Sequence, residues 1–148
     1  CYTMITMKQQ RTFLMTRSID SLKLLAESQQ DWVVETEGDC LSLSNDEGID
    51  AFAYVGDQQI IIESALFSAD SVADKVALND LILRTHQLLS LTAISIKKID
   101  GQDYYIAFGA LSSDSKDSVI IQEIETLFSN INDFLDLYGE YLKQESIA

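Results

Sequence analysis

His86 is the single histidine of the chain, and proton-transfer chemistry near neutral pH would have to start from it. A Ser-His-Asp or Cys-His arrangement needs such a base, yet no nucleophile elbow accompanies it. His86 follows Ile82 by four residues and precedes Leu89 by three. Helical spacing therefore puts it at the border of an apolar stripe, which predicts a structural imidazole at the core edge with a satisfied ring nitrogen. Arg84, Tyr104 and Tyr105 are the polar groups that occur with it in motif-like stretches. A small-ligand or enzymatic site, if the chain had one, would be built from these four. Cys1 and Cys40 form no CxxC pair, and one histidine with two distant cysteines cannot supply a zinc set. Cys40 is expected to be a small apolar residue buried in a strand. No GxGxxG or GxxxxGK[ST] loop is present to cradle a phosphate. Asn45-Asp46-Glu47-Gly48 is too short for a calcium loop and reads as a solvated turn. These readings assign no catalytic, cofactor-binding or metal-binding residue and imply no cofactor.

Charge narrows the partners. Ten Lys and Arg stand against 24 Asp and Glu, a net charge of −14. Such a surface repels phosphate backbones and anionic lipid, which argues against nucleic acid and membrane surfaces as partners. No apolar run approaches the roughly 18 residues of a membrane span, and no secretory signal is evident at the start. A cytoplasmic location is the expectation. A chain of 148 residues is the size of one domain. Residues 1–17 hold Lys8, Arg11 and Arg17 and no acid, so they are set apart as a basic N-terminal extension, with Met15 as a candidate natural start. If ordered, this arm is expected to lie on acidic surface. Residues 18–148 are then a single α+β domain.

The elements that must position these residues follow from periodicity. Ile19, Leu22, Leu25 and Ala26 recur at helical spacing behind Ser18, a plausible N-cap, which predicts a helix over 18–29. From Trp32 to Ser64 the period becomes two, broken at Glu37-Gly38-Asp39, Asn45–Gly48 and Gly56-Asp57. Short segments joined by short turns predict an antiparallel meander of three or four strands. Residues 72–89 return to a helix, with a stripe of Leu78, Leu81, Ile82, Thr85, Leu88 and Leu89. Asp100-Gly101 between two β-rich runs predicts a two-residue hairpin in which Lys98 faces Asp103. That register puts Ile94 and Ile96 on one face with Tyr105 and Ala107. Both hairpin faces are apolar, as expected if both are covered. The last helix is predicted over 116–144. Its stripe of Ile120, Ile124, Leu127, Ile131, Phe134, Tyr138 and Tyr141 runs beside a second series of Ile121, Phe128, Leu135 and Leu142. The order is αβββαββα, an antiparallel sheet with three helices, and Leu81, Ile82, Ile94, Ile96, Leu127 and Ile131 are expected in its core.

Several stretches resemble the YjfI family of bacterial proteins, a domain of unknown function. They are Gln59–Phe67 (QIIIESALF), Leu78–Leu88 (LNDLILRTHQL) and Ile99–Leu111 (IDGQDYYIAFGAL), with Glu123–Leu127 (EIETL) and Tyr138–Leu142 (YGEYL). The resemblance runs from about Ser18 to Leu142 and leaves residues 1–17 outside. It implies a cytoplasmic domain without an established enzyme activity, and a genomic setting near envelope-stress proteins. The element order is also similar to the small acidic chaperones of type III secretion, which dimerise and hold a partner polypeptide in extended form. By this analogy the chain is expected to be a homodimeric, non-enzymatic module for an unidentified protein partner, chaperone-like or stress-associated. The dimer contact is expected on the second face of the sheet or on the long helix.

Overall fold

The computed structural model describes residues 18–88 and 91–143. The basic extension at 1–17, Leu89 and Gln144 lie outside the described residues. Among those described, the order is α1 (Ile19–Glu27), β1 (Val33–Glu37), β2 (Cys40–Ser44), β3 (Asp50–Val55), β4 (Gln59–Ser68), α2 (Lys75–Thr85), β5 (Ala93–Ile99), β6 (Gln102–Ser112) and α3 (Asp117–Tyr138). The fold is α+β, with the strands in one six-stranded sheet of order β1-β2-β3-β4-β6-β5. The meander has four strands, and every predicted element is present. The chain divides into two compact units: residues up to Ile62 with Ala110–Gln122, and Glu63–Gly109 with the residues from Glu123 onward.

The first unit is organised around a large-to-small sheet face. Antiparallel pairing sets Leu41 opposite Ala53 and Leu43 opposite Ala51, and all four are fully buried. Leu22 and Ala26 of α1 are buried too, on the helix that packs against β1 and β2. Ser18 starts α1 as its spacing predicts. Its Oγ accepts from the Ser21 N–H at 3.1 Å while the Ser21 hydroxyl oxygen accepts from the Ser18 N–H at 2.9 Å, a reciprocal cap that satisfies two otherwise unpaired donors. Asn45 ties the β2–β3 loop through Oδ1, which accepts from the N–H groups of Glu47 and Ile49. This stretch is an Asx turn. Cys40 departs from expectation: it is half-buried, and its Sγ lies 3.2 Å from the Glu37 carbonyl oxygen. It opens β2 beside the two-residue turn, where the sheet face is not yet fully covered.

In the second unit, Asp74 caps α2 by accepting from the Ala77 N–H at 3.1 Å. Leu78 and Ile82 are buried, Leu81 and Thr85 are half-buried, and Leu88 is exposed. Beyond Thr85 the chain tightens into a 3-10 turn, His86–Leu88, which rotates Leu88 off the stripe. The hairpin keeps the predicted register, Lys98 opposite Asp103 and Ile96 opposite Tyr105. Asp100 and Gly101 both have positive φ (51° and 81°), the pattern of a type I′ turn whose twist matches the strands.

Coverage of the hairpin is where the expectation fails. Tyr105, Ile106 and Ala107 of β6 are buried, but Ile94 is half-buried and Ile96 is 51% exposed. Among the described residues strand β5 ends the sheet order, with a strand neighbour on one side. Helix α3 buries its main series from Ile124 through Tyr138, with Phe128 from the second series. It stops at Tyr138, short of residue 144. Gly139 weakens the helix there, and the following backbone bonds elsewhere. Ala73 N–H donates to Tyr141 O at 2.9 Å and Lys143 N–H to Ser71 O at 2.6 Å, flanking a Val72–Leu142 bridge.

Candidate functional site

One concavity, lined by a single sequence candidate, Tyr105, lies inside the second unit, between α2 and the β5–β6 hairpin. It is an open groove of about 310 Å³ lined by Asn79, Ile82 and Leu83 of α2, Ile94, Ser95 and Ile96 of β5, and Tyr105 of β6. Helix spacing puts Asn79 and Leu83 on one face, four residues apart. Strand alternation puts Ile94, Ile96 and Tyr105 on the facing side of the hairpin. One polar pair of the lining is already engaged. The Tyr105 hydroxyl donates to Asn79 Oδ1 at 2.5 Å, its ring lies against Phe67 with centroids 5.2 Å apart, and burial pushes the phenol pKa up. Tyr105 is thus a fixed strut, poorly placed to release a proton.

His86 stands at the rim. Its Nε2 accepts the backbone N–H of Ile94 at 2.9 Å. In an antiparallel ladder alternate residues bond the neighbouring strand, so a donor bonded to an imidazole is one that points away from β6. His86 therefore closes the first outward-facing donor of the sheet's last strand. The other three candidates do not converge with it. Arg84 is exposed and pairs with Asp80 one turn back, Nε to Oδ2 2.8 Å, and two residues of helix turn it well away from His86. Tyr104 follows the opposite side of β6 from Tyr105. On that side its cross-strand partner Lys97 reaches Glu63 at 2.6 Å. Among the described residues no cluster of His, Cys, Asp and Glu could hold a metal ion.

A second concavity, about 630 Å³, belongs to the first unit and is lined by Gly56, Asp57, Gln58 and Gln59 with Ala110, Leu111 and Ser112. Ser113, just past β6, donates from its N–H to Gln58 O at 3.1 Å and from its hydroxyl to Asp57 O at 3.0 Å. These bonds place the end of β6 beside the start of β4, so the two strands run antiparallel. Among the described residues of this lining, Asp57 is the one ionisable group.

Glu123 is a residue that sequence reasoning missed. It is 4% exposed and packs over the backbone of Gly109, where a Cβ would collide with its carboxylate. Burial raises its pKa above the ordinary carboxylate range. The signal was present: Glu123 sits between Ile120 and Leu127 at spacings of three and four, inside the apolar stripe. Asn130, also buried, donates from Nδ2 to Thr92 Oγ1 at 2.8 Å.

Chemically, the α2–hairpin groove offers apolar walls and a floor in which the Tyr105 hydroxyl is committed to Asn79. It suits apolar side chains better than a reacting polar substrate. Known proteins agree with this architecture. YbjN from E. coli, a proposed transcription regulator, superposes with a TM-score of 0.66 at 13% identity, covering 86% of this chain and 97% of that one. A chain of the ExsC–ExsE complex gives 0.57 at 10% identity, covering 86% and 98%. The HopA1–SchA chaperone–effector complex gives 0.55 at 12%, covering 76% and 88%. In sequence, the uncharacterized protein YjfI of Escherichia coli K12 is 32% identical over 84 residues. That alignment takes in 57% of this chain and 63% of YjfI, under two thirds of the relative's length. A bacterial family described as "Uncharacterized protein conserved in bacteria (DUF2170)" matches residues 13–142, starting inside the stretch set apart as an extension. By that match over most of its length, the chain belongs to the DUF2170 family.

Proposed function

We propose that this chain is a non-enzymatic protein-binding module of the cytoplasm that works as a homodimer, with residues 18–148 as its domain and a chaperone-like or stress-associated role. The observation that carries the reading is the apolar α2–hairpin groove. Leu83 at its lip is 79% exposed and Ile96 51%, while the Tyr105 hydroxyl of its floor is bonded to Asn79. Apolar surface left in water at a concave site is characteristic of a place where protein docks. Two solved structures similar in fold are complexes, one of them of a chaperone with its effector. That supports a polypeptide as the bound species. The net charge of −14 weighs against nucleic acid.

The test is affinity capture of the tagged chain at native expression with mass spectrometry, followed by titration of the purified candidate against the wild-type chain and His86→Gln. Saturable binding that changes no more than a few fold in the variant is expected. Loss of binding or of any activity in a folded His86→Gln protein would instead support a small-ligand or enzymatic site around His86.

A further inference from the structure

We propose that the outer edge of β1, in the first unit, takes an extended segment of a protein partner, bearing Lys or Arg at alternate positions, as an added strand. This surface is separate from the α2–hairpin groove and goes beyond the reading above. Among the described residues β1 and β5 end the sheet order, and the two edges differ. Each belongs to a hairpin with a two-residue turn, whose closing pair is hydrogen-bonded. In the second hairpin that pair is Ile99–Gln102, so alternation turns the N–H groups of Ile94, Ile96 and Lys98 outward. His86 Nε2 accepts that of Ile94, and Lys97 and Lys98 add edge charges, so this edge is blunted. In the first hairpin the closing pair is Glu37–Cys40, with Gly38 at φ 58° as the first turn residue. The N–H groups of Val34 and Thr36 therefore turn outward. The β1 edge carries no lysine, proline or bulge: its pairing with β2 is unbroken from Val33 to Glu37. Outward donors and acceptors on such an edge template a further strand.

Charge selects the occupant. From Leu24 to Ile62 the chain has no Lys, Arg or His. Glu35 and Glu37 are exposed on one face of β1, and Asp31 and Asp39 are exposed beyond its two ends. Val34 and Thr36 would make the hydrogen-bonded pairs of an added antiparallel strand. Glu35 and Glu37 then fall at the non-hydrogen-bonded pairs, where facing side chains are closest. Opposite charges at such pairs stabilise a sheet and like charges oppose it. A second copy's β1 would set glutamate beside glutamate, so the charge of this edge selects a basic strand over its own repeat.

Titration of the full chain against a short labelled peptide alternating Lys with Thr and Val, followed by fluorescence anisotropy, tests the proposal. A matched peptide with Glu in place of Lys is the control. Glu35→Lys reverses one charge and Thr36→Pro removes one outward N–H. Both positions are exposed, and an edge strand accepts proline where its N–H faces away from the ladder. Circular dichroism checks folding, and Glu35→Lys decides alone if Thr36→Pro does not fold. The Lys peptide should bind, weaken as salt is added, and slow hydrogen exchange at the Val34 and Thr36 amides. Each variant should weaken binding at least about fivefold, and the Glu peptide should bind at least about tenfold more weakly. Unchanged binding in the folded variants, or loss in Leu83→Asp instead, would overturn the location and leave the groove reading standing. Equal binding of the two peptides, or no binding of the Lys peptide, would overturn the proposal. Val34 and Thr36 amides already slow without peptide would show the edge closed by the chain itself and overturn it too.

Discussion

At the scale of single residues, Glu123 and His86 make opposite statements about burial. Glu123 keeps a carboxylate among apolar side chains, and desolvation raises its pKa in the folded state above the unfolded value. The folded protein therefore binds that proton more readily. Its contribution penalises folding at neutral pH, and the penalty is relieved as pH falls through the raised value toward the ordinary carboxylate range. Glu123→Gln should raise the melting temperature at neutral pH and flatten this part of the pH profile. An equal or lower melting temperature at neutral pH would show that the carboxylate makes compensating bonds. His86 gives a backbone donor its partner. Replacing it with Ala should cost about 1 kcal/mol, the net value of such a bond, and speed hydrogen exchange at the Ile94 amide. Unchanged exchange would mean that the bond does not hold in solution.

At the scale of elements, the β5–β6 hairpin and the Leu–Ala ladder are set by different physics. The hairpin depends on two consecutive positive φ angles at Asp100 and Gly101. Gly101→Ala should destabilise by at least about 1 kcal/mol, because a Cβ is strained there whatever space surrounds it. Asp100→Asn should be close to neutral, since Asn-Gly suits the same turn. Chemical denaturation of the two variants distinguishes a backbone effect from a general intolerance of the loop. In the first unit, Leu41→Ala should cost about 2–5 kcal/mol. Leu41 is fully buried, with only Ala53 opposite it on β3, so that strand offers no bulk to fill the cavity. A loss below 1 kcal/mol would mean that the sheet and α1 collapse onto the space.

At the scale of the whole molecule, the proposed homodimer would bring two acidic surfaces together. Each copy carries −14, so long-range repulsion opposes dimerisation and is screened within about 10 Å at 0.1 M salt. Apolar burial is insensitive to that screening, so the proposed dimer should tighten as salt is added. Sedimentation equilibrium at low and moderate ionic strength measures this, and a dimer that weakens with salt would assign the attraction to ion pairs across the interface.

Local chemistry made much of this legible in the sequence. Asp-Gly between β-rich runs determined the hairpin and its register down to Lys98 opposite Asp103. Ser18 marked its own cap, and alternating spacings of four and three identified the buried series of α3. These features depend on a few neighbouring residues, so they survive without knowledge of the rest of the chain. The tertiary structure decided which apolar residues stay in water. Ile96 and Tyr105 are cross-strand partners with the same pattern, yet one is 51% exposed and the other 1%. The difference is that β6 has a strand on each side and β5 has one. Strand order is fixed by contacts between segments distant in sequence, and periodicity carries no record of it. For the same reason Arg84, Tyr104 and His86, close in sequence to groove residues, diverge from one another, while Asn79 and Tyr105, 26 residues apart, share a hydrogen bond.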